Sequence, residues 1–525
     1  MVNNSGRRKA CLEPGAGTKL PGPGLRCAIL SLALLAAFDA GAEGWRITPR
    51  LGVKETYTDN VTLGAQGKKQ SELVTEVSPG VSVSKTGNRF NVNATYSLQT
   101  LSYLRDSSRN NTNHQLAAHA DAEWIKDFFF TDASASISQQ NTSLLGVAGA
   151  DNINVTGNRT DVRTYQISPY IKSRLGNIAD YRLGYTHNAV STGATNISDS
   201  QAGRINAELN SAAAFYKVDW SLLYSRETIN NSNVQDNRAE RFAAGLRYLL
   251  SRKLNLVASY GYEKNSFLTT GAKPEGSLWD AGFVWTPSPR TKLEARVGRR
   301  YFGDTYLLDY TQRSRRTTWS VNYGEDVTSA RSQFFAQTTI DTASLLDSQF
   351  SASIPDPAIR AQFVEDFIVQ NGLQNSTLQS LNFLSNQTFL QKRLQGAVSL
   401  NGIRNTMIFS LYGLSRFAQA TATADQPGDG DFILSRDVKQ YGASALWSSR
   451  LTPRISSNLS VAYTRNQFKD TGREDDSTLI RFGVRKQFEK KTSGSVDLRR
   501  TERSSNQDGN DYKENAVTVS LDMRF

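Results

Sequence analysis

The sequence is poor in the residues that hold a compact soluble protein together. Of its 525 residues only 2 are cysteines, and 38% are hydrophobic. The usual apolar scale counts glycine and leaves out tyrosine. With the 38 glycines in place of the 20 tyrosines, the apolar share is about 41%, below the ~45–50% typical of globular chains. A soluble protein of this length would need two to four conventional cores. Long helical apolar faces to build them are lacking, which argues against that class.

Long apolar runs are lacking too. Beyond residue 40 no stretch approaches the roughly 20 apolar residues of a membrane-spanning helix. Intrinsic disorder is excluded by 20 Tyr, 24 Phe and 7 Trp, too many aromatic residues for a chain that buries nothing. The class that remains is a transmembrane β-barrel, in which half of the strand residues face lipid and half face water.

The first segment has the pattern of a targeting signal. A basic stretch that includes Arg7 and Arg26 precedes the apolar run 27–38, and Ala40-Gly41-Ala42 supplies small residues for cleavage. We therefore predict a signal peptide over 1–42 and one β-barrel domain over 43–525. Both cysteines, Cys11 and Cys27, belong to the predicted signal, so a thiol-free mature chain is expected, which excludes disulfides and cysteine catalysis.

Apolar and polar residues alternate along the last nine positions, where Leu521, Met523 and Phe525 share one face. This period of two predicts a strand with one apolar side. The terminal Phe525, with Met523 and Leu521, resembles the C-terminal signal that the outer-membrane insertion machinery reads. That machinery is thus an expected partner, together with outer-membrane lipids and lipopolysaccharide.

The alternation recurs along the chain and predicts an all-β antiparallel barrel of about 22 strands, within a range of 18–24, beginning with a strand from Trp45 to Tyr57. Tight turns are predicted near 85–89, 125–127, 251–253, 286–290 and 489–491. Longer polar connections are predicted at 105–113, 141–163, 189–201, 228–238, 265–275, 417–435, 466–476 and 502–512. Short periplasmic turns and long extracellular loops are typical of outer-membrane barrels.

The face opposite the lipid carries many arginines, which we predict to line the pore: Arg182, Arg204, Arg241, Arg247, Arg296, Arg300, Arg481, Arg485, Arg499 and Arg524. One interpretation is that these cations pair with carboxylates on neighbouring strands. The other is an electropositive channel for an anionic solute, in keeping with a net charge of about +9 once the predicted signal, with its net +3, is removed from the formal +12.

The largest connection, at about 327–386, is predicted to contain a helix near 357–371. Asp356 and Pro357 suit its first positions, and Asn371-Gly372 suits its end. Such a helix could fold into the lumen as a constriction, cap the barrel outside, or belong to an ordinary extracellular hairpin.

The sequence offers little chemistry beyond this. Acidic clusters at 425–431, 474–476 and 508–511 could bind Ca²⁺ but lack EF-hand spacing, so solvated loops are the simpler interpretation. There are 3 histidines, and no nucleophile elbow or metal-ligand motif. We expect no catalytic residue, no metal, no cofactor and no nucleic-acid partner, although an outer-membrane enzyme stays as a minor alternative.

Three segments resemble the outer-membrane barrel proteins associated with the PEP-CTERM system. Residues 44–60 read GWRITPRLGVKETYTDN, like that family's extended first strand, and 301–306 and 313–326 resemble its central hairpin. The resemblance implies an association with exosortase sorting and exopolysaccharide production, and it provides no catalytic residues.

The function expected from the residues and the resemblance together is an outer-membrane channel for export of an exopolysaccharide, and the basic lumen would suit an anionic one. Periplasmic polysaccharide-export components are expected partners. The alternatives are a general solute porin, a structural barrel that sheathes another envelope protein, and an outer-membrane enzyme. A TonB-dependent receptor would need a plug domain before the barrel, for which the sequence between the predicted signal and Trp45 leaves no room.

Overall fold

The alternating residues form strands whose two faces meet different surroundings. In the last strand the side chains of Val517 and Val519 are exposed on the outer surface, whereas Glu514 and Ala516 are buried inside. The same alternation repeats around the molecule. Side chains such as Leu246 and Val297 are more than half exposed, and transfer into lipid stabilises each by about 1.5–3 kcal/mol. An apolar belt therefore surrounds a polar interior.

A computed structural model describes residues 44–194, 198–212, 217–232, 236–267, 273–335, 387–419 and 435–525, with nine single positions between 343 and 385. The predicted signal peptide at 1–42 lies outside the described residues, as does the acidic cluster at 425–431. Residues Gly44–Phe525 form one unit.

The unit consists of 22 strands in one sheet. In chain order these are β1 Trp45–Thr58, β2 Glu72–Lys85, β3 Phe90–Tyr103, β4 Asn111–Ile125, β5 Phe129–Asn141, β6 Arg159–Leu175, β7 Ala179–Thr192, β8 Ser200–Ser211, β9 Val218–Asn231, β10 Asn237–Ser251, β11 Leu254–Asn265, β12 Glu275–Ser288, β13 Thr291–Arg300, β14 Gly303–Arg313, β15 Thr317–Ser329, β16 Thr388–Asn401, β17 Asn405–Ala418, β18 Asp437–Thr452, β19 Ile455–Phe468, β20 Arg473–Glu489, β21 Thr492–Ser505 and β22 Tyr512–Arg524.

Each strand pairs with its sequence neighbours in antiparallel register, and β1 also pairs with β22. That seam runs from Arg50 opposite Arg524 to Thr58 opposite Ala516. The sheet is therefore a closed barrel with no free edge. The predicted all-β antiparallel barrel and its number of strands are confirmed.

The two ends of the barrel differ in their connections. Turns of a few residues, such as 252–253 and 490–491, join strands at one end, and longer segments such as 59–71 and 142–158 join them at the other. By the rule for such barrels the first end is periplasmic and the second extracellular.

Several strands extend further outward than predicted. Residues 474–476, expected in a loop, belong to β20, and His114 belongs to β4. The strand ends were not predicted because the residues near the outer rim are polar and do not alternate with apolar ones. Their backbone nevertheless continues the hydrogen-bonded ladder.

Two short helical segments lie among the described residues. A 3-10 turn spans Ser107–Arg109, and α1 spans Ala330–Gln333 directly after β15. The Ser329 side chain caps α1 by accepting a hydrogen bond from the Ser332 amide. No described helix has the length and apolar content needed to cross a membrane.

Candidate functional site: a divided, cation-rich lumen

The register of the strands places all ten predicted arginines on the inward face, where their surroundings differ. Six of them line two cavities of the lumen. Arg204, Arg241, Arg296 and Arg300 lie in one, and Arg485 and Arg524 lie in the other. Arg182, Arg247, Arg481 and Arg499 lie elsewhere on the same face.

The first cavity, which we call the outer chamber, occupies the extracellular half of the lumen beside β7–β16. It has a volume of about 920 Å³. Its charged lining residues are Arg204, Arg238, Arg241, Arg296, Arg300, Arg331 and Arg393, with Glu227, Asp280, Glu325 and Asp326.

Three of these arginines, Arg204, Arg296 and Arg300, form ion pairs within about 3 Å. Arg300 lies 2.6 Å from Glu263 and 2.7 Å from Asp326. Arg204 lies 2.7 Å from Glu227. Pairing of cations with neighbouring carboxylates, one of the two interpretations of the inward arginines, thus describes this part of the wall.

The second cavity, which we call the periplasmic vestibule, lies at the other end of the lumen beside β1–β3 and β18–β22. It has a volume of about 860 Å³. Eight cationic side chains line it against one carboxylate, Asp522, and the eight are Arg50, Lys54, Arg450, Arg454, Arg485, Lys490, Lys491 and Arg524. Lys54 is paired with Glu76 at 2.9 Å. Even without Lys54 the vestibule keeps a large excess of positive charge.

The connection between β5 and β6, residues 142–158, folds into the lumen above the vestibule. Its backbone carbonyls accept hydrogen bonds from the far wall, as Leu145 does from Arg473 at 2.8 Å and Gly146 does from Arg503 at 2.7 Å. Tyr512 donates a further one to Ala148 at 2.9 Å. We call this segment the lumen loop. It was predicted as part of a longer external loop, 141–163, and that placement is wrong.

A charged cluster fastens the centre of the lumen loop. Asp151 accepts a hydrogen bond from Arg499, which also donates to Glu514 at 2.9 Å, and Asn154 donates to Glu514 at 2.8 Å. Arg499 is only 7% exposed. It was predicted to line the pore, and it does lie on the inward face, but it anchors a loop instead of facing open solvent.

The environment of Asp151 favours its charged form. The side chain lies deep in the barrel, although 38% of it stays accessible to the lumen. Burial opposes ionisation, but the guanidinium groups of Arg499 and Arg481 outweigh it and hold the pKa of Asp151 below its ordinary value. The carboxylate is therefore ionised at neutral pH, and the pair with Arg499 is a charge-assisted one.

The start of the largest connection also enters the lumen. On one side Gln333 of α1 donates a hydrogen bond to Gln391 at 2.8 Å, and that residue also binds the buried Arg416. On the other side Arg331 donates to Ser200 at 2.7 Å. Because these partners belong to β16–β17 and to β8, α1 bridges two separate parts of the wall.

Further along this connection, isolated described positions pack deep in the barrel. Leu346, Val364 and Ile368 form a buried apolar cluster with Ala397 and Ile408 of the inward wall. Arg360, Val364 and Ile368 are helical. The rest of the helix predicted near 357–371 lies outside the described residues.

The acidic clusters that the structure describes do not gather around a common centre. Asp475 pairs inward with Arg473 and Arg503, whereas Asp476 faces outward and pairs with Arg465. Among the described residues no group of His, Cys, Asp or Glu has the arrangement of a metal site.

Sequence reasoning missed Asp151 and Glu514, which form one cluster with Arg499, and it missed Arg503, which pairs with Asp475. A signal was present in the lumen loop, because Leu144 and Leu145 are unusual in a solvated loop. Both pack against the inward apolar cluster that contains Phe389. Two adjacent leucines in a polar segment thus indicated burial.

Residues 437–525, which are strands β18–β22, match the family model "Putative beta-barrel porin 2". No curated protein matches the sequence.

Similar folds occur among solved outer-membrane proteins. The siderophore receptor PirA of Pseudomonas aeruginosa is 11% identical, with a TM-score of 0.45, covering 91% of this chain and 80% of its own. The outer membrane protein OpdK of the same organism is 10% identical, with a TM-score of 0.35 and coverages of 91% and 99%. The iron transporter FrpB of Neisseria meningitidis is 10% identical, with a TM-score of 0.38 and coverages of 94% and 84%.

The apolar belt, the closed 22-stranded sheet and the porin-family match in the last five strands lead to one conclusion. The chain is a porin-like β-barrel of the bacterial outer membrane.

Proposed function

We propose that this barrel is an outer-membrane channel for anionic solutes, and that its physiological solute is an anionic exopolysaccharide exported from the periplasm. The observation that carries the proposal is the cationic excess along the lumen. The outer chamber has seven cationic side chains against four carboxylates, and the vestibule has eight against one. A wall of this kind attracts anions and repels cations.

The divided lumen fits a channel that opens when the segments inside it move. The lumen loop and α1 both lie across the pathway, and each is held by polar contacts with the wall. The polar contacts exchange with water or with a polar solute at little net cost, whereas the packing of Leu144 and Leu145 against the Phe389 cluster is lost when the loop moves. Displacement of the lumen loop would widen the pathway above the vestibule.

The test is the current through the purified full-length protein in a planar lipid bilayer under a salt gradient. We expect a reversal potential whose sign shows anion selectivity, and weaker selectivity at high salt, where the lumen charges are screened. Cation selectivity, or no conductance at any voltage, would contradict the channel.

The polysaccharide is tested separately by deletion of the gene. We expect less polymer at the cell surface and accumulation of polymer in the periplasm. Normal surface polymer without periplasmic accumulation would remove the polysaccharide and leave an anion channel for another solute.

A further inference from the structure

The periplasmic vestibule has a composition that differs from the rest of the lumen. Its positive charge comes from the ends of strands and from two turns, 453–454 and 490–491. Arg454, Lys490 and Lys491 are exposed there. These side chains are not needed to close the barrel, because the ladder between β19 and β20 is complete from Phe468 to Ile455 without them.

The remaining lining residues are mostly small and rich in hydroxyl groups. Ser78, Thr95, Ser97, Ser456, Thr492 and Ser493 contribute hydroxyls, and Gly52 and Gly80 leave room beside them. A site that binds protein segments depends on large apolar or aromatic pockets for its anchors. Phe350 is the large apolar side chain that lines the vestibule from within, whereas Leu51, Tyr96, Ile455 and Met523 alternate with the inward residues of their strands.

From this lining we infer that the vestibule is a binding site for an anionic glycan, which it admits from the periplasmic side. Uronate carboxylates or other acidic groups along the chain pair with the vestibule cations, and sugar hydroxyls exchange hydrogen bonds with the serine and threonine side chains. The inference rests on the proposed channel function and adds to it the site in the lumen where that solute binds first.

The path upward from the vestibule supports the same ligand. Arg485 lies at the vestibule. Arg481 lies further up the same inward face of β20, and Arg499 lies opposite it on β21. The last of these holds the Asp151 carboxylate of the lumen loop. A carboxylate of the protein's own chain thus occupies the position that an acidic sugar would reach next.

The experiment measures binding of a short polygalacturonate oligomer to the full-length protein in detergent micelles by calorimetry. The vestibule variant carries Arg454→Gln, Lys490→Gln and Lys491→Gln. The control variant carries Arg252→Gln, Lys253→Gln and Arg290→Gln, which remove the same charge from exposed turns at the same end but outside the vestibule. We expect the vestibule variant to bind about tenfold more weakly and the control to stay within about twofold of the original.

Three results would overturn the inference. The first is an equal loss of affinity in both variants, and the second is no loss of affinity in the vestibule variant. The third is binding of an oligoglutamate of the same length with the same affinity and the same response to the two variants, which would indicate an acidic protein segment as the ligand. Blockade of the bilayer current by polygalacturonate added on the periplasmic side, with weaker blockade from the other side, would support it. If the variants differ as expected but the protein carries no current, the channel proposal fails and the binding site stands. If the current is anion-selective but the two variants bind the oligomer equally well, the binding-site inference fails and the channel proposal stands.

Discussion

The outer chamber and the periplasmic vestibule are similar in volume and both contain many cations, yet those cations have different neighbours. In the outer chamber Arg204, Arg296 and Arg300 each lie within about 3 Å of a carboxylate. In the vestibule Asp522 is the one lining carboxylate among the described residues. In the first chamber several cations form pairs that join neighbouring strands, whereas the vestibule has eight lining cations for one lining carboxylate, and its Lys54 pairs with Glu76. A count of inward arginines therefore does not measure the field that a solute meets.

The largest expected effect comes from breaking a pair in the outer chamber. Glu263, nearly inaccessible, accepts hydrogen bonds from two nitrogens of Arg300. Glu263→Gln leaves that guanidinium with Asp326 alone, and we expect the free energy of unfolding to fall by about 3 kcal/mol. Urea unfolding in phospholipid vesicles measures the change.

A matched control for this variant is Asp304→Asn. Asp304 is exposed and lies 3.9 Å from Arg299, so its loss should change the free energy of unfolding by less than about 1 kcal/mol. Equal effects of the two variants would mean that the pairs in the chamber are not structural.

The next effect concerns the lumen loop, which lies between the two chambers. Asp151→Asn removes the charge from its pair with Arg499, and such charge-assisted bonds contribute about 1.5–3 kcal/mol. The ratio of displaced to docked loop should therefore rise about 10- to 100-fold. A cysteine introduced by Val147→Cys reports this change as faster maleimide labelling. The two native cysteines, at positions 11 and 27, belong to the predicted signal peptide and are not expected in the mature chain.

Asp106→Asn is the control, because Asp106 caps an exposed turn in another loop and its substitution should leave the labelling rate unchanged.

The pH dependence gives an independent check. The pKa of Asp151 is lowered by the fold, so its contribution to docking is complete above the ordinary carboxyl pKa and is lost as the pH falls through the lowered value. Conductance of the original protein should rise as the pH falls through that lowered pKa, and that of Asp151→Asn should rise less.

The smallest effect on stability is expected in the vestibule. The triple variant at Arg454, Lys490 and Lys491 should change the free energy of unfolding by less than about 0.5 kcal/mol, because these exposed side chains lie away from the packed interior. Its reversal potential should nevertheless move towards weaker anion selectivity. A destabilisation as large as that of Glu263→Gln would erase the distinction between the two chambers.

The sequence predicted the wall of the barrel much better than its contents. Alternation with a period of two is a local property, so the number of strands and the inward face of residues such as Arg247 could be read directly. The contacts inside the lumen join residues far apart in the chain. Arg499 and Asp151 are separated by 348 positions, and no local pattern relates them.

The largest connection shows the same limit. The helix predicted near 357–371 includes Val364 and Ile368, whose spacing suits a buried helical face, but what they pack against depends on the curvature of the closed sheet. Burial could thus be predicted, whereas the partner could not.

The seam between β1 and β22 has a consequence for the order of folding. Asn60 and Lys513, which lie 453 positions apart, are joined by a hydrogen bond next to this seam. Contacts of such long range form slowly, because the whole intervening chain must be arranged first. Until the seam forms, β1 and β22 present unpaired backbone groups that invite association with other chains. Closure should therefore be the last and slowest step, and the time before it is when the chain most needs assistance.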